Sequence, residues 1–287
     1  MQTYDRQQTS QTLNRAAGTI GYHIAGPENA PWLLLLHGSG PGVTGWANYQ
    51  GNLPVFAEHY RCVIIDFPGY GDSDLVAGDA VEGCINAALD VINALAIERC
   101  HILGNSLGGI VGSHIAARHV ERVSSFVTIG GIGLNLFSAF PGEGLNLLTA
   151  FTEKPNRERV EQWLRSMVFD QTLVTDELIE QRFQQAIEPK TLAATRQIYS
   201  PTAIASITAM RSQNPTKTLE HLSSIVAPTL ITWGRDDRVS PMDIALLPMR
   251  LIPNAELHVF PNCGHWAMIE CKQAFEALVL AFFQQHH

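Results

Sequence analysis

The chain has 287 residues, 46% of them hydrophobic and 16% charged, enough apolar material for one sizeable core. A net charge of −8 with no basic run argues against a nucleic-acid surface and against an anchor for anionic lipid. The apolar run Trp32–Leu36 is far short of the roughly 20 residues that a bilayer span needs.

The first thirty residues lack the basic-then-apolar order of a signal peptide. Five scattered cysteines (Cys62, Cys84, Cys100, Cys263 and Cys271) form no C-x-x-C pair, so neither a disulfide framework nor a zinc knuckle is expected. A cytoplasmic protein with a small-molecule partner is the simplest expectation. The closing Gln284–His287, which ends in His286 and His287, stands apart from the argument.

Along the chain, short apolar runs alternate with helix-length segments, the pattern of a mostly parallel sheet with crossover helices on both faces. Gly18–Ala25 reads as an early strand and Trp32–Leu36 as a buried one. The glycine-rich loop His37-Gly38-Ser39-Gly40-Pro41-Gly42 follows. It is no phosphate-binding loop, because no G-K-[S/T] comes after it. Arg61–Asp66 is the next strand, closed by the tight loop Asp66–Ser73, which reads as structural. His101–Leu103 then runs into Gly104-Asn105-Ser106-Leu107-Gly108, the one G-x-S-x-G of the sequence. A serine on a sharp strand-to-helix turn needs small neighbours, and the helix N-terminus offers N–H groups to an oxyanion. The plain alternative is a glycine-rich turn that only packs a helix.

Ser125–Ile129 is a further strand. After it, Leu134–Ser206 shows only helical spacing, at Val160–Phe169 and Glu177–Ile187, and reads as a helical cap inserted into a core of residues 1–133 and 207–287. An independently folded second domain is the other reading of that stretch. Thr229–Trp233 and Glu256–Phe260 complete the strands, each nearly continuous in apolar residues as expected of strands covered on both faces. The first is followed by Gly234-Arg235-Asp236-Asp237 and the second by Asn262-Cys263-Gly264-His265-Trp266. Serine, acid and histidine thus each follow a strand, at the carboxyl edge where such sheets place their sites. A serine hydroxyl is inert at neutral pH without a base, and the base needs an orienting acid, so Ser106 and His265 call for a carboxylate. Residue chemistry alone does not choose between Asp236 and Asp237.

The motifs H-G-S-G-P-G with a downstream Asn48, D-F-P-G-Y-G-D-S, G-N-S-L-G-G, W-G-R-D-D-R and C-G-H-W resemble the meta-cleavage product hydrolases of the α/β-hydrolase superfamily, from about Gly21 to Phe283. That resemblance implies hydrolysis of a carbon–carbon bond in 2-hydroxy-6-oxohexa-2,4-dienoates, giving 2-hydroxypenta-2,4-dienoate and a carboxylic acid, without metal or cofactor. It implies a homodimer or larger homo-oligomer, with Asp237 as the acid beside Ser106 and His265. The backbone N–H groups of Ser39 and Leu107 would form the oxyanion hole, and Asn48, Asn105, Arg182 and Trp266 would bind the dienoate half. Ser39 stands where many members have glycine, and Met167 where some have an aromatic residue, which leaves the 6-substituent open. A carboxylesterase with the same three residues is the competing enzyme reading, and a small-molecule receptor with a vestigial triad the non-enzyme one. A dehalogenase is disfavoured, because those relatives carry aspartate at the nucleophile position.

Overall fold

The computed structural model describes residues 2–286, so that of the closing histidine pair His287 lies outside the described residues. Eight strands form one sheet: β1 (Ser10–Leu13), β2 (Ile20–Ala25), β3 (Trp32–Leu36), β4 (Arg61–Ile65), β5 (Cys100–Asn105), β6 (Val123–Ile129), β7 (Thr229–Gly234) and β8 (Ala255–Phe260). Their spatial order is β1-β2-β4-β3-β5-β6-β7-β8, with β2 antiparallel to both β1 and β4 and every other pairing parallel. The chief helices are α1 (Gly45–Tyr49), α2 (Ala80–Ala94), α3 (Leu107–Arg118), α4 (Glu143–Glu153), α5 (Arg157–Met167), α6 (Asp176–Ala186), α7 (Pro189–Tyr199), α8 (Pro201–Gln213) and α9 (Lys272–Gln285).

The leucine run of β3 shows why the central strands are apolar throughout. Leu33 and Leu35 point into the cluster that holds Phe275 and Phe283 of α9, while Leu34 and Leu36 point into the cluster of Ile85 and Val91 from α2 and Val111 and Ile115 from α3. Full burial of each leucine contributes about 1.5–3 kcal/mol. The edges follow a different rule. In β8, Glu256 and His258 are exposed and alternate with half-buried neighbours, so this strand is not covered on both faces as expected; it has only one strand partner, β7. The other edge strand, β1, is polar and short; it pairs only with β2, and its Ser-Gln-Thr-Leu sequence carries no apolar alternation.

Five helices, α4 to α8, lie between β6 and β7. Their starts are set locally: Asn156, Thr175 and Ser200 each cap the helix that follows through the side-chain oxygen, and proline opens both α7 and α8. Because Ser200 both closes α7 and caps α8, the last helix continues unbroken to Gln213, beyond the expected boundary at Ser206. Phe151, Trp163 and Ile179 from these helices share one buried cluster with Leu33 and Phe283 of the sheet region. The helices therefore sit on the sheet's own core.

The entry into this region is held by a single carboxylate. Asp243 accepts the N–H groups of Leu136, Phe137 and Ser138 at 2.7, 2.8 and 3.2 Å and the Ser138 hydroxyl at 2.7 Å. Burial alone would raise its pKa, but these donors outweigh it and hold the group down at about 2. A depressed folded-state pKa stabilises the fold above the ordinary carboxylate pKa and loses that contribution as the pH falls through it toward 2. Asp243→Ala is expected to lower the unfolding free energy by about 2–3 kcal/mol at pH 7. Urea titrations at pH 7 and pH 3 check this, with the gap between wild type and variant shrinking at the lower pH; an equal gap at both would contradict the role.

Candidate active site

The site is built on the turn between β5 and α3. Ser106 occupies that turn with φ +53° and ψ −111°, a left-handed conformation that a residue with a Cβ rarely adopts. The surrounding backbone enforces it. The Ser106 N–H donates to Ile129 O at 2.8 Å and its carbonyl accepts Ile110 N at 3.1 Å, so the turn is tied to β6 on one side and to its own helix on the other. Glycine is required close by: a Cβ on Gly131, itself at φ +89°, would run into the Ser106 carbonyl, and one on Gly108 would run into Leu36 O. Asn105 lies at the end of β5 and donates through its side-chain nitrogen to Ile129 O at 3.1 Å.

His265 follows β8, and its Nδ1 lies 2.6 Å from Asp237 Oδ2, with both side chains 2% exposed. The other Asp237 oxygen accepts Val239 N and Ser240 N, each at 2.8 Å, which fixes the carboxylate from behind. Of the two aspartates, Asp237 is thus the one that meets the imidazole, while Asp236 lies 3.2 Å from the Arg235 guanidinium. The histidine loop is held in turn by the helical region. His265 N donates to Met167 O at 2.7 Å, and Glu270 accepts Gly264 N with one oxygen and Phe169 N and Asp170 N with the other. An imidazole with Nδ1–H on a carboxylate presents Nε2 as a base, the arrangement that deprotonates a serine hydroxyl. His265 Cε1 lies near Gly130, the first residue after β6 and the neighbour of Gly131, which lies against the Ser106 carbonyl.

The two residues expected to offer N–H groups to an oxyanion follow β5 and β3. Leu107 is the first residue of α3, so its N–H has no partner within the helix. Ser39 lies in the loop after β3, buried, with its hydroxyl 2.5 Å from Tyr199 OH. His37 keeps this loop in place: its Nε2 accepts Phe67 N at 2.9 Å and its Nδ1 hydrogen-bonds Gly38 O. Full burial pulls the His37 pKa down to about 4, so the ring is neutral at pH 7 and can donate at one nitrogen while accepting at the other.

The remaining predicted residues are all buried. Arg182 is 5% exposed and donates to Gly42 O at 3.1 Å, with its guanidinium carbon 5.6 Å from the Trp266 ring centroid. Burial lowers its pKa to about 10, which leaves it cationic at pH 7, yet among the described residues no carboxylate is paired with it. Asn48, on α1, is buried with its side-chain nitrogen unpartnered. A cavity of about 200 Å³ opens beside Ser106 and Leu107, but Asn48, Asn105, Arg182 and Trp266 do not line it. It extends instead under α4, α7 and α8, between apolar side chains such as Ile198, Ile204 and Val239. Sequence reasoning missed Tyr199, Glu270 and Arg211 beside this site. Only the glycines at 130, 131 and 133 after β6 signalled a second close approach.

His23, Asp66 and Asp72 form the one group among the described residues whose ligand atoms lie close enough to share a metal ion. Its oxygens already accept Gly45 N and Asp72 N or pair with Arg6, so it serves the loop after β4 as a structural staple.

A family model described as the alpha/beta hydrolase fold matches residues 31–271. The chain is 38% identical to a 2-hydroxy-6-oxononadienedioate/2-hydroxy-6-oxononatrienedioate hydrolase of Burkholderia vietnamiensis, covering 93% of this chain and 91% of that protein. It is 37% identical to a 2-hydroxy-6-oxo-6-phenylhexa-2,4-dienoate hydrolase of Burkholderia cepacia, covering 94% of each. Among solved structures it superposes on a meta-cleavage product hydrolase of Pseudomonas fluorescens IP01 with a TM-score of 0.86 at 31% identity, over 98% of this chain and 100% of the other.

Reaction with a fluorophosphonate reports serine nucleophilicity without presupposing a substrate. Asp237→Asn is expected to slow labelling by about 10³–10⁴-fold, because an amide cannot hold the imidazole in the required tautomer. Asp236→Asn is expected to stay within a few-fold of wild type. Mass spectrometry of labelled protein over time checks both, and equal effects would contradict the assignment of Asp237.

Proposed function

Because the chain belongs to the α/β-hydrolase family and, within it, to the meta-cleavage product hydrolases, we propose that it hydrolyses the C5–C6 bond of a 2-hydroxy-6-oxohexa-2,4-dienoate. The products are 2-hydroxypenta-2,4-dienoate and a carboxylic acid. The observation that carries this reading over a simple esterase is Arg182: a buried, charged guanidinium with a carbonyl and an aromatic face for company and, among the described residues, no carboxylate paired with it. Such a group is suited to a carboxylate supplied by the substrate, held by two parallel N–H donors. Asn48, with its orphaned side-chain nitrogen, adds a donor for the dienoate half.

Carbon is a poor leaving group, so the reaction needs an electron sink before the bond breaks. Ketonisation of the 2-hydroxydiene moves the enol proton to C5 and leaves a C2 carbonyl conjugated to C3=C4. Ser106 Oγ, deprotonated by His265, then adds to the C6 carbonyl, and the N–H groups of Ser39 and Leu107 hold the resulting oxyanion. Collapse expels C5 with its electron pair delocalised onto the C2 oxygen, and the proton on His265 returns to the leaving fragment. Water, deprotonated by His265, releases the acid from Ser106 and restores the enzyme. Arg182 anchors the C1 carboxylate throughout, and residues 134–206 act as the cap that supplies it. The cavity beside Ser106, which Arg182 does not line, takes the 6-substituent.

We place the enzyme in the cytoplasm, which its five free thiols support, and as a homo-oligomer, which sedimentation velocity tests. Among the described residues no helix is long and apolar enough to cross a membrane.

Kinetics on a 6-substituted dienoate and on a neutral aryl ester separate this reading from the esterase. Arg182→Ala is expected to lower kcat/KM for the dienoate by about two to three orders of magnitude relative to the ester, since only the dienoate presents a carboxylate. Arg182→Lys is expected to restore part of that difference, as an ammonium lacks the planar fork. Equal losses on both substrates would refute carboxylate recognition, and hydrolysis of the ester alone by wild type would make the protein a carboxylesterase.

A further inference from the structure

The helical region grips the loop after β3 through one pair of hydroxyls. In Gly38-Ser39-Gly40 only Ser39 has a side chain, so its hydroxyl is the one handle by which a neighbour can hold the loop there. Tyr199, the last residue of α7, takes it: the phenol oxygen lies 2.5 Å from Ser39 Oγ, and both residues are buried. Among the described residues this is the one hydrogen bond of either hydroxyl. Burial raises the phenol pKa above its ordinary value, so Tyr199 keeps its proton near pH 7.

The tyrosine is itself firmly held. Its carbonyl accepts the Thr152 hydroxyl of α4 at 3.2 Å, the Thr152 carbonyl accepts Arg196 Nε at 3.0 Å, and Ser200 beside it caps α8. The loop is built for close approach instead. A Cβ on Gly40, at φ +143°, would run into the Trp163 ring, and one on Gly38 would stand 3.4 Å from Ser106 Cβ. Glycine permits that approach but leaves the backbone free, and a contact from outside has to remove the freedom. Tyr199 also lines the cavity beside Ser106 and Leu107, so one residue meets both the loop and the space for the acyl group.

We propose that Tyr199 is a positioning residue, which through the Ser39 hydroxyl sets the Ser39 N–H for the oxyanion that forms when Ser106 attacks. This rests on Ser106 as nucleophile and Ser39 as an oxyanion donor, and not on the dienoate as substrate. A preorganised donor needs no reorientation as charge develops, so loosening it lowers turnover and leaves substrate affinity nearly unchanged.

Tyr199→Phe removes the hydroxyl and keeps the ring, and Ser39→Ala removes the other half of the pair while keeping the N–H. The test measures both variants and the double variant by fluorophosphonate labelling, by steady-state kinetics on a 6-substituted dienoate and by thermal melting. Each single variant is expected to lower kcat and the labelling rate by about 10- to 100-fold, with KM within about threefold of wild type. The double variant is expected to be no slower than the singles, because both break one contact. Losses that multiply in the double variant, or a loss in only one of the singles, would overturn the pair. A raised KM at unchanged kcat, or a lowered melting temperature at unchanged rates, would overturn positioning and leave Tyr199 as cavity wall or packing. The expected labelling pattern in a protein that cleaves no dienoate would sink the substrate reading and leave this one standing.

Discussion

One backbone conformation governs the rest of the site. Ser106 sits at positive φ because β5 ends against the first turn of α3 with no room for a gentler bend. Gly108 lies against the end of β3, Gly131 lies against the Ser106 carbonyl, and Ile129 O takes the serine N–H. A strained residue persists only where its surroundings over-determine it, and here three adjacent strands, β3, β5 and β6, do so. The turn lifts the hydroxyl above the sheet edge and leaves the Leu107 N–H free beside it. The loops after β7 and β8 then need only bring Asp237 and His265 to the same edge. They do so with their own supports: two backbone N–H groups behind Asp237, and Met167 O with Glu270 behind the histidine loop.

Those supports tie the helical region to the chemistry. The Glu270 carboxylate bridges Gly264 to Phe169 and Asp170, so the segment after α5 and the histidine loop are tied together. The same helices carry Arg182 on α6 and Arg211 on α8. A single inserted region thus supports the histidine loop and carries both of these arginines. The two cations differ in setting. Arg182 lies in a closed wall against Trp266, while Arg211 stands in the open cavity with its plane held by Phe140. In the proposed function, Arg182 recognises the carboxylate that every such dienoate carries.

Where one face or both faces of an element are buried, its sequence announces it, as Trp32–Leu36 does by alternating leucines between two cores. Strand ends followed by glycine, acid or histidine were legible for the same reason: only small residues fit such turns. The edge strand Ser10–Leu13 was not, since a polar strand that pairs on one side needs no apolar pattern. Asp236 and Asp237 are chemically identical neighbours, and only the path of the β7 loop turns one toward the imidazole. Arg211 was invisible for a further reason. On a helix rich in small and apolar residues it reads as a surface charge, and its meaning comes from Phe140 and Asn135, far away in the chain. Asp243 and Glu270 likewise act through backbone N–H groups that no motif records.

The central claim is that Ser106 performs carbon–carbon hydrolysis on a dienoate. The most direct measurement follows consumption of a 6-substituted 2-hydroxy-6-oxohexa-2,4-dienoate by its absorbance, with both products identified by mass, for wild type and for Ser106→Ala. The account requires wild type to release one equivalent each of 2-hydroxypenta-2,4-dienoate and the acid. Ser106→Ala should still bind the dienoate but turn it over about 10⁴- to 10⁶-fold more slowly. An unconsumed dienoate with wild type, or a serine variant that keeps even a tenth of wild-type turnover, would contradict it.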